Sequence, residues 1–498
     1  MVGSTNSNGG ITGWVLSPVR NAIGSFFGYV TGLLGGAGND AGQWESPLLA
    51  ARDIMDHISH FVDENAGGLP RQVADAALKL AGDAVRRATP EALLKATGEI
   101  AVAIFTAFAK GFGQLPVIRD GILDNNVNAP ALELVWGQRT ELISFLVDIL
   151  ECTKGLFAAN GSDLGNASQR EYNELDVANP MNRHGIVCQV QRLVKSLVSI
   201  FRKSRTVRTL ADIDMTEETT LESDLVPNRE MGLAHHIQSP PPGVKARPDE
   251  HWLFINGIGG EYYWLGLACK KLSDAYGREV TGIFNRGDGL LWDLVECGGQ
   301  RSDREAGSTS SQDSLLQATR SSAAAQKVLY TRLESILKKP EKELGPIVMV
   351  AHSQGCLVLR LVLQELVAGQ NQGILRKMKK HLCVFTFGNP SIHWTFEGPG
   401  YEVGGQRVVA KELFCRTEHF ANETDFVAKL GVLRDGANPN AGASNNGYSE
   451  DNVFVNRTWK GHMFGAQYSL NPGDYDRRGS WLLNCNRQRA MGPPAPRA

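Results

Sequence analysis

The stretch Ile347-Val-Met-Val-Ala-His-Ser-Gln-Gly355, running straight into Cys356-Leu-Val-Leu359, decides how the C-terminal half of the chain is read. Its first four residues are β-branched or Met, as expected of a compact strand buried on both faces. The serine then sits at the apex of a tight turn, and the apolar run after it is helical. The residues two before and two after that serine pass close to other backbone and must be small, as Ala351 and Gly355 are. Outward from this point, strands are expected at 252–255, 280–284, 384–387, 413–415 and 453–455, with helices at 261–276, 322–337 and 353–368. Such alternation predicts an α/β fold with a mostly parallel central sheet covered by helices. Sites in such folds lie at the carboxyl ends of the strands.

The rest of the chain has a different texture. Over 498 residues the formal net charge is −2, which argues against a nucleic-acid partner. Glycine is abundant at 54 residues, without a collagen-like period. Residues 1–45 form a glycine-spaced N-terminal segment, in which Gly24, Gly28, Gly32 and Gly36 share one helical face. That face suits close helix contact, so residues 11–36 are a candidate for peripheral membrane contact. Residues 46–208 read as an α-helical domain that precedes the sheet. Its apolar run at 100–109 is too short to span a bilayer, and His57 and His60 read as a surface pair rather than a metal site. Residues 209–250, with Pro240, Pro241 and Pro242 in a row, read as a linker, residues 251–485 as the α/β domain, and 486–498 as a disordered tail. The eight cysteines show no zinc-site spacing, and Met1 to Gly10 lacks the pattern of a secretory signal. The sequons at Asn160, Asn166, Asn422 and Asn456 are read as chance, and a cytoplasmic location is expected.

A second segment, Leu253-Phe-Ile-Asn-Gly-Ile-Gly-Gly-Glu261, is a buried strand ending in a glycine-rich turn that opens a helix. It lacks both GxGxxG spacing and a following Gly-Lys-Ser/Thr, so it is not read as a phosphate loop. Together with the serine turn it resembles the α/β-hydrolase superfamily over about residues 250–470. The superfamily's nucleophile elbow is usually Gly-x-Ser-x-Gly; Ala351 departs from that form but keeps the position small, and Asn256 stands where a histidine is common. The resemblance implies an α/β-hydrolase fold, with Ser353 as nucleophile and the backbone N–H groups of Ile258 and Gln354 as oxyanion hole. It also implies the chain order serine, acid, histidine. His462, in Trp459-Lys-Gly-His-Met-Phe464 beyond the last strand, is the expected base, with His419 second. His381 precedes a strand at the wrong end of the sheet, and His393 comes too soon after one. Phe387-Gly-Asn-Pro390 and the Asp-Phe-Val stretch from Asp425 are similar to parts of the lipase branch, which makes Asp425 the expected acid; Asp435 and Asp451 stay open.

The implied activity is hydrolysis of carboxylic esters, lipid esters first, by a serine esterase or lipase that needs no metal or organic cofactor. The apolar Tyr262, Tyr263, Trp264, Leu265 and the residues at 289–295 suit such a substrate. Residues 438–448 read as a surface loop, with a lid as the alternative. Two other functions stay open: an acyltransferase or thioesterase using the same three residues, and a membrane-acting signalling protein whose helical N-terminal half is the effector. The sequence leaves oligomeric state undetermined.

Overall fold

The computed structural model describes residues 235–488, apart from 245–246, 287–296, 298–319, 370, 398–406 and 435–445, together with 171–174 and a few positions from 176 to 189. The glycine-spaced segment, His57 and His60, the residues at 289–295, Asp435 and the tail lie outside the described residues, as does nearly all of the 46–208 domain. The chain divides into two units, and the sheet belongs to the one made of 166–174 and 225–498.

The sheet has seven strands: β1 (His235–Gln238), β2 (His251–Ile255), β3 (Val280–Ile283), β4 (Ile347–His352), β5 (Leu382–Phe387), β8 (Arg416–Asn422) and β9 (Val453–Asn456). Their spatial order is β1-β3-β2-β4-β5-β8-β9. Only β1 runs antiparallel, at the edge beside β3. The other pairings are parallel. A small second sheet pairs β6 (Thr395–Glu397) with β7 (Arg407–Val409).

Period-two alternation along each strand divides the apolar residues between two cores. Leu253, Ile255, Ile347, Met349, Ala351, Leu382 and Val384 face one side. There they meet α2 (Arg320–Lys338), α3 (Gln354–Ala368) and α4 (Gln372–His381). Trp252, Phe254, Val348, Val350, Phe385 and Phe387 face the other side, against α1 (Tyr262–Tyr276) and α8 (Trp481–Gln488). Both faces being covered explains why β4 and β5 are uninterrupted buried runs.

Two sequence expectations change. β1 falls inside the stretch read as linker, so the α/β unit begins before 251; His-His-Ile-Gln carries no strand pattern because an antiparallel edge is half solvated. The strand expected at 413–415 is instead the end of a short helix, α5 (Ala410–Leu413), and the true strand β8 starts at Arg416. Polar Thr417, Glu418, His419 and Asn422 hide it from a hydropathy reading, although all four are buried. Asn422 and Asn456, two of the sequons, are fully buried hydrogen-bonding residues. Of the stretch at 438–448, Tyr448 is packed inward, its hydroxyl donating to the Ser391 carbonyl at 2.7 Å.

The strand order reverses between β2 and β4. From β2 the chain moves to β3 on one side, then crosses back to β4 on the other. In open α/β sheets a crevice opens at the carboxyl ends of the strands where this happens. The turn after β2 and the serine after β4 both lie there.

Candidate active site

β4 ends at His352 and α3 begins at Gln354, so the reversal from strand to helix is confined to Ser353. Its backbone has φ 57° and ψ −129°, and among the described residues no other non-glycine residue has positive φ. Such a conformation costs about 1–3 kcal/mol and persists only when its surroundings hold it. Here the Ser353 N–H donates to the Phe387 carbonyl at 2.9 Å, and the Ser353 carbonyl accepts from the Cys356 N–H at 2.8 Å. Its Oγ is buried and makes no hydrogen bond to the protein.

The turn after β2 presses against this serine. A Cβ on Gly257 would land on the Ser353 Cβ and lie 2.8 Å from its Oγ. Gly355 likewise backs onto the carbonyls of Ile255 and Asn256. Asn256 shapes the turn: its Nδ2 donates to the Asn285 carbonyl at 2.7 Å, and its Oδ1 accepts from the Asn285 N–H at 2.8 Å. Asn285 in turn donates through Nδ2 to Gln354 Oε1 at 2.6 Å. Ile258 follows Gly257 in this turn, and Gln354 is the first residue of α3, where backbone N–H groups have no acceptor within the helix. Gln354 is therefore tied to the turn that carries Ile258 through Asn285 and Asn256. Asn285 was not singled out in the sequence, where it is one polar residue beyond β3.

Asp425 and His462 meet, 37 residues apart in sequence. His462 Nδ1 lies 2.7 Å from Asp425 Oδ2. The same carboxylate oxygen accepts from the Tyr468 hydroxyl at 2.5 Å, and Oδ1 accepts from the Val427 N–H at 2.8 Å, capping α6 (Phe426–Leu430). Asp425 is 0% exposed and His462 3%. Burial and the adjacent carboxylate push the Tyr468 phenol well above its usual range, so it stays a donor. Gly388, at φ 58°, leaves the space this group needs: a Cβ there would sit 2.8 Å from Asp425 Oδ2 and 2.9 Å from His462 Cε1. Gly388 directly follows Phe387, whose carbonyl holds Ser353. His352, the serine's other neighbour, places its ring 4.6 Å from that of His462 and its Nε2 2.7 Å from the His462 carbonyl. Burial and the neighbouring His462 hold the His352 imidazole well below its usual range. Ser353 is thus linked to the Asp425–His462 pair through its neighbour His352 and through Phe387 and Gly388.

The loop carrying His462 is fixed from several directions. Gln467 Oε1 accepts from the N–H groups of His462 (2.7 Å) and Met463 (2.8 Å). Asn422 Nδ2 donates to the carbonyls of Gly461 and Gln467, both at 2.9 Å. Lys271, on α1, donates through Nζ to the carbonyls of Phe464 (2.9 Å), Gly465 (2.8 Å) and Tyr468 (2.5 Å). Glu174 accepts from the N–H groups of Gly465 (2.7 Å) and Ala466 (2.9 Å). The last two residues bracket the short helix α7 (Phe464–Gln467) with opposite charges. Burial draws Lys271 down to about 7 and raises Glu174, each charge opposing the shift of the other. Partners of this kind lie up to 292 residues away in sequence, and nothing local marks them.

The other histidines and acids fall elsewhere. His419 is fully buried on β8, with Nδ1 2.7 Å from Thr386 Oγ1 and its ring edge-on to Trp394 and Tyr448. His381 ends α4 at the amino end of β5, and His393 lies in the loop before β6. Asp451 is exposed in the turn before β9. Asp425 follows β8, ending at Asn422, rather than a strand ending at Cys415. Tyr262 and Tyr263 are partly exposed, but Trp264 and Leu265 are buried, Leu265 in the core under α1. Among the described residues no helix is long and apolar enough to cross a membrane. Searches of protein-family models and of curated proteins found nothing that matches the chain.

Proposed function

We propose that the chain is a serine hydrolase of the α/β-hydrolase kind, cleaving carboxylic esters through Ser353, His462 and Asp425. One observation carries the proposal. It is a serine in strained positive-φ backbone at the carboxyl end of a central parallel strand, whose neighbours His352 and Phe387–Gly388 touch a buried Asp–His pair joined at 2.7 Å. A structural turn at this point would have no use for either the strain or the pair.

In the proposed reaction His462 Nε2 takes the Ser353 hydroxyl proton as Oγ attacks the ester carbonyl. Asp425 keeps the Nδ1–H tautomer in place and stabilises the imidazolium. Tyr468 and the Val427 N–H satisfy the carboxylate, so it does not need to take the proton itself. The N–H groups of Ile258 and Gln354 receive the charge that grows on the carbonyl oxygen, each contributing on the order of 3 kcal/mol. His462 then hands the proton to the departing alcohol, and water, deprotonated by the same imidazole, clears the acyl group. The preference for lipid esters rests on the lipase-like stretches around Phe387 and Asp425.

The test is labelling of the full-length chain with a fluorescent fluorophosphonate, followed by an ester panel graded in acyl length. Wild type should label at Ser353, and Ser353→Ala should neither label nor hydrolyse. Equal labelling of the two proteins, or a folded wild type inert to probe and to every ester, would overturn the proposal. Transfer of the acyl group to an added alcohol in preference to water would reassign it as an acyltransferase.

A further inference from the structure

A short segment from upstream of the sheet, residues 171–174, is docked beside the loop that carries His462. It belongs to the same unit as the sheet, although 1–165 and 175–224 belong to the other. Its first residues are held on α1. The Tyr172 hydroxyl donates to Asp274 Oδ2 at 2.7 Å, and Lys270 Nζ pairs with Glu171 Oε1 at 2.8 Å while lying 5.4 Å from the centre of the Tyr172 ring. Its last two residues are sealed, Asn173 at 5% and Glu174 at 4% exposure. Gly465 in α7 makes room for them: a Cβ there would land on the Tyr172 carbonyl and lie 2.6 Å from Glu174 Oε2.

We propose, resting on the esterase reading of Ser353, His462 and Asp425, that Glu174 is a positioning residue for that reaction. Residues 171–174 then complete the active site from far outside the strands that carry it. The Glu174 carboxylate spans the N–H groups of Gly465 and Ala466 in α7. From α7 the constraint passes on by two routes. Gln467, the last residue of the helix, accepts from the His462 N–H and so sets the backbone of the base. Tyr468, the next residue, donates its hydroxyl to Asp425 Oδ2 and so holds the acid. At the other end of the helix, the Phe464 ring lies 5.8 Å from that of His352, the residue before Ser353. A displacement of α7 therefore disturbs base and acid together.

A carboxylate suits this place for a simple reason. The first N–H groups of a helix have no acceptor within it, and both oxygens of a carboxylate accept. An amide of the same shape offers one acceptor and one donor, so glutamine would set an N–H against that of Gly465 or Ala466. Burial makes such a mismatch costly to keep, and a shift of the loop relieves it.

The experiment compares full-length wild type, Glu174→Gln, Gly465→Ala and the double variant Lys271→Met/Glu174→Gln. Steady-state hydrolysis of a p-nitrophenyl ester is measured beside urea unfolding. Glu174→Gln should lose on the order of 10- to 100-fold in kcat with KM little changed, the pattern of a displaced catalytic group. Gly465→Ala keeps every charge and displaces the segment by collision; it should lose kcat in the same way, and it carries the test if Glu174→Gln does not fold. In the double variant stability should recover in part while kcat stays low, because no charge is stranded but the second acceptor is still missing. A kcat that returns in step with stability would mark Glu174 as merely structural and overturn the proposal, as would wild-type kcat in folded Glu174→Gln and Gly465→Ala. An active wild type whose kcat ignores Glu174 overturns this inference alone. A wild type inert to fluorophosphonate and to every ester overturns the esterase reading, and this inference with it.

Discussion

Asp425 Oδ2 accepts from Tyr468 and contacts His462 Nδ1, while Oδ1 caps a helix, so a single carboxylate orients an imidazole and starts an element. Asn at this position retains the cap, since Asn and Asp cap helices about equally. It would, however, favour the wrong imidazole tautomer. Asp425→Asn is therefore expected to fold normally by circular dichroism while kcat for ester hydrolysis falls by roughly 10⁴-fold. Gly257 offers a separate check at the same scale. A methyl group there collides with the Ser353 side chain and must displace either the turn or the serine. Because a misplacement of about 1 Å costs on the order of 100-fold in rate, Gly257→Ala should lose at least that much in kcat. Retained activity in the folded variant would mean that Ser353 does not act from its present position.

Among elements, α7 shows how a very short helix is made rigid. Four residues cannot sustain a helix by propensity. Its backbone groups are instead held by Lys271 and Glu174, two buried charges from distant parts of the chain. Removing one member of such a pair strands the other without a counter-charge, at a typical cost of about 3–5 kcal/mol. Lys271→Met should accordingly lower stability by that order in urea unfolding, and adding Glu174→Gln should recover part of the loss. Strict additivity of the two changes would show that the charges do not act as a pair. β8 makes the same point about legibility. Its Glu418 is buried because Ser480 Oγ and the Trp481 N–H, both at 2.8 Å, reach it from the start of α8. A reading of hydropathy sees only an interruption, since the partners that make it tolerable lie more than 60 residues further on.

For the whole molecule, several imidazoles are kept neutral inside the fold. His419 is the clearest: burial pushes it down to about 3. Above pH 6.5 it is neutral in both folded and unfolded chains, so it adds nothing to the pH dependence. As pH falls from 6.5 towards 3, the unfolded chain takes up a proton that the folded chain refuses, and stability is lost. His236, His251 and His352 are shifted in the same direction. The buried carboxyls of Glu174 and Glu418 are raised and act oppositely in acid, so the informative quantity is a difference between proteins. In His419→Gln, stability between pH 4 and 6.5 should depend on pH less steeply than in wild type, by about 1 kcal/mol per unit. Parallel slopes from urea midpoints would show that His419 titrates in the folded chain.

The sequence by itself determined the alternation of strands and helices, the parallel character of the sheet, and the serine turn, because each is written in contiguous residues with a fixed period. β2, β4, β5 and α3 are buried runs whose patterns need no partner to be recognised. It also narrowed the candidates for the proposed acid and base to short lists by their order along the chain. Only the tertiary structure decided which members of those lists meet. His419 and His462 both follow β5, yet one is sealed in the core beside Trp394 and the other faces Asp425. It alone revealed Tyr468, Asn285, Lys271 and Glu174. These are pairings across long separations, where local composition carries no trace of the partner and the folded geometry alone sets the distance.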